Sequence, residues 1–215
     1  MTSPALTRIT FVRHGHVHNP GNIIYGRLPG FGLSEGGRQQ AQAAAEALRG
    51  ESVAAFFSSP LLRARQTMEI LLQYHPDTPT HISEHLIEIN VSCEGRPIEE
   101  MAARDWDMYT GQSADYDQPE DIAARARALM RQIRQDYAGQ HVVAVSHGDV
   151  IAFTVLNAMR EPLRVANKRT LDRFGIPDSY PATGSLTTLI YSGEGLPRVD
   201  YRRPYADDLV MVTPS

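Results

Sequence analysis

The chain has 215 residues, of which 42% are hydrophobic and 21% charged, and its formal net charge is −4. This composition is typical of a globular protein with a large core, and the mildly acidic balance excludes a general nucleic-acid binder, which needs a basic face. The one cysteine, Cys93, excludes an internal disulfide and a multi-cysteine zinc site. The chain starts without a signal sequence, and no run approaches the roughly 18 apolar residues of a membrane span, so we expect a cytoplasmic protein that does not contact a membrane.

In chain order, the hydrophobic pattern alternates between strands and helices. The first half is predicted to contain a strand over 8–13, a helix between Ser34 and Gly50, a strand over 53–57, a helix from Ser59 and Pro60 to about Leu72, a weak strand over 80–83 and a short helix near 98–103. The second half is predicted to contain a helix from Pro119 to Gly139, a strand over 141–146, a helix over 149–159 and strands over 185–192 and 197–203. This alternation predicts an α/β fold, a three-layer α/β/α sandwich with a mainly parallel sheet, in one domain over 1–215.

Three short polar segments each follow a predicted strand. They are Arg13-His14-Gly15-His16, Ser58-Ser59-Pro60-Leu61-Leu62-Arg63 and Ser146-His147-Gly148-Asp149. If the three strands are parallel neighbours, the segments meet at one edge of the sheet, outside the carboxyl ends of the strands, where ligands bind in such sheets. Two arginines and two histidines would then converge on one point.

Such a convergence of cationic groups indicates an anionic ligand. Like charges repel when they are brought together out of water, and two helix N-termini would direct further positive dipole ends at the same point. A phosphoryl group complements this charge, and the planar fork of arginine can bind two of its oxygens at once. The residues themselves therefore predict a phosphate site.

Six motifs follow one another along the chain. They are Phe-Val-Arg-His-Gly at 11–15, Gly-Arg-Leu-Pro-Gly at 26–30, Leu-Ser-Glu-Gly-Gly-Arg-Gln-Gln-Ala at 33–41, Ser-Ser-Pro-Leu-Leu-Arg-Ala-Arg-Gln-Thr at 58–67, Leu-Ile-Glu-Ile at 86–89 and Val-Ser-His-Gly-Asp at 145–149. With this ordered set, the chain resembles the histidine phosphatase superfamily, which includes the cofactor-dependent phosphoglycerate mutases. The resemblance covers most of the chain and implies a phosphoglycerate mutase-like fold and a phosphomonoester hydrolase that needs no metal or other cofactor.

The resemblance also implies a role for individual residues. His14 is the implied nucleophile, which would form a phosphohistidine. The groups implied to hold the phosphate oxygens are Arg13, Arg63, His147 and the turn at Gly148. Glu88, in the Leu-x-Glu segment, is the implied proton donor to the leaving group, and that role requires a raised pKa and partial burial.

Some assignments stay open between two residues. Asn19 is the expected additional phosphate ligand, with Asn22 as the competing choice, since asparagine also serves turns well. Glu94 is the rival of Glu88 as proton donor. His16, Arg27 and Glu94 are expected at the rim of the substrate pocket.

The expected substrate is a small phosphomonoester, and the main alternative is a phosphoglycerate mutase. A mutase must hold a second acidic group, yet the stretch 89–120 contains only two basic residues, Arg96 and Arg104. This shortage favours a phosphatase. The same stretch, with aromatic residues such as Trp106 and Tyr109, is predicted to form a lid that accepts a leaving group without strong negative charge. The alternative interpretation is that these aromatic residues belong to the core. The oligomeric state stays open.

Two other classes of protein deserve comparison. His14, His16 and His18 alternate along an extended segment, so they could point the same way and bind a metal in a metal-dependent hydrolase. The nearby arginines would repel that cation. A non-catalytic binding module on the same fold is the third interpretation, and the retention of every residue that the chemistry needs argues against it.

Overall fold

The computed structural model describes residues 5–209. Its strands are β1 (Thr7–Arg13), β2 (Ala55–Ser58), β3 (Thr80–Ile82), β4 (His141–Ser146), β5 (Leu186–Tyr191) and β6 (Arg198–Arg202). Its α-helices are α1 (Glu35–Leu48), α2 (Leu62–Leu71), α3 (Ile98–Ala102), α4 (Pro119–Asp136) and α5 (Gly148–Ala158). Short 3₁₀ helices lie at Leu72–Tyr74, Glu84–Leu86, Val165–Arg169, Leu171–Phe174 and Asp207–Leu209.

The six strands form one sheet in the order β3-β2-β4-β1-β5-β6. Strands β3, β2, β4 and β1 pair in parallel, whereas β5 and β6 are antiparallel to their neighbours. Strand β4 is buried along its whole length, because it is central in the sheet and covered on both faces. Its nearly continuous apolar run fits this position. The predicted mainly parallel α/β sheet is confirmed, and β4 lies between the two other strands that precede the polar segments.

Helices cover both faces of the sheet. On one face, α1 and α2 pack against Val12, Phe56 and Val145. On the other face, α4 and α5 pack against Phe11 and Phe57. Neighbouring residues of a strand point to opposite faces, which explains why consecutive apolar residues belong to different layers. The predicted three-layer α/β/α arrangement is therefore confirmed.

Helix α2 begins later than predicted. The sequence indicated Ser59 as the N-cap and Pro60 as the first helical residue, but the helix begins at Leu62, after Leu61 in the cap position. The Ser59 hydroxyl instead contacts the Nε2 atom of His147 at 2.8 Å. The Ser59 hydroxyl, which the pattern predicted to cap a helix, thus contacts a histidine at the edge of the sheet where the polar segments meet.

The long segment between α5 and β5 has little regular structure, as predicted, and holds the 3₁₀ helices Val165–Arg169 and Leu171–Phe174. It returns to the carboxyl ends of β1 and β4, where Tyr180 contacts both Arg13 and Asp149. Between residues 5 and 209, no helix combines the length and the apolar character needed to cross a bilayer.

Candidate active site

The three polar segments meet at one edge of the sheet, since β2, β4 and β1 are parallel neighbours. The imidazole rings of His14 and His147 lie 5.1 Å apart between centroids. The guanidinium of Arg63 contacts both rings, with its Nε 3.2 Å from His14 Nε2 and its Nη2 3.2 Å from His147 Nδ1. Each of these three side chains is at most 1% exposed. The predicted convergence of histidines and arginine is therefore present.

The hydrogen bonds define which nitrogen of each ring carries a proton. His14 Nδ1 lies 2.8 Å from the carbonyl oxygen of Gly15, which only accepts, so Nδ1 is the protonated atom. Arg63 donates to Nε2, which therefore holds a lone pair. In His147, Nδ1 accepts from Arg63 and Nε2 donates to Ser59. His14 thus has its Nε2 lone pair inside the cluster, which is the state that a nucleophile needs.

Burial and neighbouring charge keep both rings neutral. Burial, then the charges of Arg63 and Arg13, holds the pKa of His14 well below its usual 6.5. Burial, then the charge of Arg63, followed by His14 and Arg13, holds the pKa of His147 well below 6.5. The positive charge of the cluster therefore resides on the two guanidinium groups, which suits an anionic ligand and a neutral histidine beside it.

Glu88 lies in the same cluster. Its Oε2 is 3.6 Å from Arg63 Nη2 and 3.5 Å from His147 Nδ1. Burial raises the pKa of the Glu88 carboxyl, and the opposing charge of Arg63 offsets this only in part. A carboxyl group with a raised pKa can carry a proton closer to neutral pH than an exposed glutamate, so Glu88 has the property that the proton-donor role requires.

Glu94 and Arg27 lie behind Glu88 and do not line the main cavity. The Glu94 carboxylate accepts the backbone N–H of Arg27 and lies so close to Gly26 that a Cβ there would be 2.2 Å from its oxygen. Arg27 donates to the carbonyl oxygen of Glu88 at 2.7 Å and to Asp117 at 2.9 Å. These positions differ from the predicted rim. Glu94 orients a loop, so the geometry favours Glu88 over Glu94 as the proton donor.

Asn19 and Asn22 both line the main cavity. The amide of Asn19 closes its own loop, since Oδ1 accepts from the backbone nitrogen of Ile23 at 3.3 Å and Nδ2 donates to its carbonyl oxygen at 2.9 Å. Nδ2 retains one further proton for a ligand. Asn22 has a positive φ of 50°, a conformation that asparagine tolerates in turns. The choice between them as phosphate ligand stays open.

The main cavity has a volume of about 660 Å³ and borders the cluster through Arg13, Glu88 and Gly148. Arg13 is fixed by a hydrogen bond from Nη1 to the carbonyl oxygen of Pro181 at 2.8 Å. His16 lines the cavity at a position that agrees with the predicted rim. Much of the remaining wall is apolar and comes from the loop before α1 and from the stretch between 91 and 108, with Ile23, Ile24, Val91, Ile98, Trp106 and Met108.

Residues from the segment 160–184 also line this cavity, and sequence reasoning missed them. Lys168 is paired with Asp149 at 2.8 Å, and the exposed Arg169 lies beside the rings of Trp106 and Tyr180, at 6.0 and 5.6 Å from their centres. The shortage of basic residues in the stretch 89–120 is thus partly compensated from elsewhere in the chain. The segment has no hydrophobic periodicity from which its position could be predicted.

Tyr109 agrees with the core alternative and does not face the substrate as a lid residue. Its ring is 2% exposed and belongs to the core, where it packs edge-on against Phe153. Trp106 and Met108, from the same stretch, do line the cavity. The apolar residues around Tyr109 therefore divide between the core and the cavity wall.

The three histidines of the metal interpretation do not converge. Among residues 5–209, the one set whose ligand atoms all lie within 4.8 Å of one another is His14, Glu88 and His147. His16 turns its Nδ1 to the Ser34 hydroxyl at 2.9 Å, and His18 is exposed. The proposed cluster of His14, His16 and His18 is therefore wrong, because alternate residues in this loop do not keep the geometry of a regular strand.

The set that does converge fits a metal ion poorly. Arg63 donates to His14 Nε2 and to His147 Nδ1, which are the lone pairs that a metal would need. A cation would also have to approach a buried guanidinium, against which it has like charge. The donor set thus matches an anion held beside two neutral imidazoles.

Comparisons with known proteins agree with this geometry. Residues 9–193 match the family model of the histidine phosphatase superfamily, branch 1. An uncharacterized protein of Mycobacterium tuberculosis, Rv0525, is 37% identical in an alignment of 210 positions that covers 94% of this chain and 99% of the relative. Two solved structures are similar. A mycobacterial glucosyl-3-phosphoglycerate phosphatase in complex with VO3 is 27% identical, with a TM-score of 0.69, and the match covers 90% of this chain and 96% of that structure. Mycobacterial hydrolase 1 is 26% identical, with a TM-score of 0.71, and the match covers 92% of this chain and 97% of that structure.

Proposed function

Because this chain belongs to the histidine phosphatase superfamily, branch 1, and is a phosphatase, we propose that it hydrolyses small phosphomonoesters through a phosphohistidine on His14, with Glu88 as the proton donor. The observation that carries this proposal is the contact of one guanidinium, that of Arg63, with ring nitrogens of both His14 and His147 at 3.2 Å. A phosphoryl group bound there meets a fixed positive charge and a neutral nucleophile at the same point.

In the first step, the Nε2 lone pair of His14 attacks phosphorus and the bond from phosphorus to the ester oxygen breaks. Arg63 gives up its contacts with both rings and turns its N–H groups to the phosphoryl oxygens, where Arg13 assists. His147 adds a further hydrogen bond once its proton has moved from Nε2 to Nδ1, the atom that Arg63 releases. Glu88 gives its proton to the departing oxygen, so an alcohol leaves. The Gly15 carbonyl, which accepts the Nδ1 proton, stabilises the positive charge that the ring gains when Nε2 is phosphorylated.

In the second step, the Glu88 carboxylate takes a proton from a water molecule, whose oxygen attacks phosphorus. The bond from phosphorus to Nε2 then breaks, phosphate leaves, and His14 and Glu88 return to their starting protonation states. The same carboxyl thus acts first as acid and then as base. Its burial supports this double role, because a raised pKa makes both directions of proton transfer accessible.

The cavity wall supports a preference among leaving groups. Its apolar part, with Ile23, Ile98 and Trp106, favours esters whose leaving group has an apolar or aromatic portion. Lys168 is neutralised by Asp149, which leaves Arg169 as the cation at the wall next to Trp106. We propose that the stretch 89–120 acts as the lid over this leaving group.

A phosphate-release assay tests this proposal. We expect the purified chain to release phosphate from p-nitrophenyl phosphate and from members of a panel of sugar phosphates, phosphoglycerates and nucleotides. Activity should be unchanged in EDTA, because cationic side chains take the place of a metal. Orthovanadate should inhibit it, by analogy with the mycobacterial relative whose structure contains VO3.

Three results contradict the proposal. The first is no phosphate release from any compound of the panel. The second is a complete loss of activity in EDTA that added metal restores. The third is isomerisation of 3-phosphoglycerate at a rate exceeding its hydrolysis, which would identify the chain as a mutase.

A further inference from the structure

Asp149, the second residue of α5, lies next to the phosphate site and has three side-chain partners. It is 3% exposed, and its Oδ2 accepts from the Tyr109 hydroxyl at 2.5 Å and from Lys168 Nζ at 2.8 Å. Its Oδ1 accepts from the Tyr180 hydroxyl at 2.6 Å. Tyr109 comes from the stretch 89–120, and Lys168 and Tyr180 come from the segment 160–184, so this one carboxylate joins two remote parts of the chain at the end of β4.

One side of this cluster holds the wall of the leaving-group cavity. Lys168, itself 1% exposed, donates from the same Nζ to the backbone carbonyl oxygen of Trp106 at 2.9 Å. Tyr109, at the other end of the loop 106–109, donates its hydroxyl to Asp149. The loop 106–109, in which Trp106 and Met108 line the cavity, is thus linked to Asp149 directly through the Tyr109 hydroxyl and indirectly through Lys168, which holds the Trp106 carbonyl.

The other side of the cluster holds the phosphate-binding arginine. The guanidinium of Arg13 lies over the ring of Tyr180, 5.3 Å from its centre, and donates to the carbonyl oxygen of the next residue, Pro181. Tyr180 also approaches the phosphate turn so closely that a Cβ on Gly148 would lie 2.2 Å from its hydroxyl oxygen. The orientation of Arg13 therefore depends on a tyrosine whose hydroxyl Asp149 fixes.

We propose that Asp149 is a positioning residue that couples the leaving-group wall, through Tyr109 and Lys168, to the phosphate-binding Arg13, through Tyr180. This inference rests on the proposed function, because it assigns the two ends of the substrate to the two sides of the cluster. It adds a residue that is almost fully buried at the cavity wall and that sets the geometry of both ends through its three side-chain partners.

Two simpler interpretations account for less. An aspartate in the first turn of a helix stabilises the helix dipole, but this does not require burial or three donors. A buried ion pair adds little stability compared with apolar residues of similar size, so stability alone does not explain the pairing of Lys168 with Asp149. Burial opposes the ionisation of Asp149, yet Lys168 and the two hydroxyls more than offset it and leave the pKa of the carboxyl lowered. The cluster thus keeps the Asp149 carboxylate ionised next to the phosphate site.

Two single-hydroxyl variants separate the two sides of the cluster. Naphthylphosphonate is the probe for the leaving-group wall, because its ring would contact the apolar residues there. We expect Tyr109→Phe to weaken binding of naphthylphosphonate on the order of tenfold, whereas binding of inorganic phosphate should change by less than about twofold. We expect Tyr180→Phe to weaken binding of both ligands, because the ring beside Arg13 loses the hydroxyl bond that fixes it to Asp149. Tyr116→Phe, the same change in the same stretch but away from Asp149, is the control. Calorimetry gives the dissociation constants, and KM and kcat for naphthyl phosphate give the corresponding kinetic split.

Lys168→Met, which keeps the length and apolar stem of the side chain, gives a second test of the wall, with thermal unfolding as a check on folding. It should raise KM for naphthyl phosphate more than it changes kcat. The inference is overturned if Tyr109→Phe leaves both dissociation constants unchanged. It is equally overturned if the tyrosine variants lower kcat by the same factor for every substrate and leave KM unchanged, because a smaller folded fraction would give that result. Failure of the wild-type chain to release phosphate contradicts the proposed function instead, and the binding measurements still decide this inference.

Discussion

Replacement of His14 by alanine is expected to lower phosphate release from p-nitrophenyl phosphate by about 10⁴-fold or more, because the proposed mechanism places the covalent intermediate on His14. The reason is geometric. His14 is the ring whose Nε2 lone pair lies beside Arg63, and its Nδ1 proton is already held by the Gly15 carbonyl. The measurement is steady-state release of p-nitrophenol, with circular dichroism to establish that the variant is folded.

His18→Ala is the matched control for this prediction. His18 follows in the same loop but is exposed and does not line the cavity, so its removal should leave turnover close to wild type. A folded His14→Ala variant with turnover near wild type would reject His14 as the nucleophile. Loss of activity in His18→Ala would point back to a site that uses several histidines of this loop.

Replacement of Glu88 by glutamine is expected to lower kcat/KM for an alkyl phosphate by about 10²- to 10⁴-fold, and that for p-nitrophenyl phosphate much less. An alkoxide must be protonated as it leaves, whereas p-nitrophenolate is stable without a proton. The ratio of the two kcat/KM values isolates this step, because later hydrolysis of the phosphohistidine does not enter kcat/KM. In the wild-type chain, the ratio of alkyl to nitrophenyl ester should fall as pH rises through the raised pKa of Glu88, because the acid form is lost. In Glu88→Gln it should be independent of pH.

Glu94→Gln is the matched control for Glu88, since Glu94 was the rival donor. Its carboxylate accepts the backbone N–H of Arg27, so the substitution should leave the ratio of the two esters as in the wild-type chain. If Glu88→Gln slows both esters equally, or if Glu94→Gln changes the ratio instead, Glu88 is not the donor.

The convergence of His14, Arg63 and His147 could be predicted from the sequence because each follows a strand with strong hydrophobic character. A buried run such as Val142–Val145 identifies a central strand, and parallel neighbours bring their carboxyl ends to the same edge. The order of the segments along the chain and the type of each strand were therefore enough to predict that these residues lie close together. The tautomers of the two histidines could not be predicted, because they depend on Gly15 and Ser59 as hydrogen-bond partners.

The cluster around Asp149 could not be predicted, and the reason is physical. Lys168 and Tyr180 lie in a segment without periodicity, where neither local propensity nor pattern determines the path of the chain. The role of Tyr109 stayed open between the lid and the core because a single sequence does not distinguish a core ring from a cavity ring. Ser59 was interpreted as a helix cap because its hydroxyl is chemically suited to either role. In each case a tertiary partner decides the position of the side chain.

The central claim is the covalent intermediate on His14, and one measurement addresses it directly. In Glu88→Gln, p-nitrophenyl phosphate should still phosphorylate His14, while hydrolysis slows because the base that activates water is missing, so the phosphoenzyme should accumulate. Alkaline quenching followed by peptide mass spectrometry should find phosphate on His14 and on no other residue. Phosphate on a different side chain, or an active enzyme that never carries phosphate, would contradict the account.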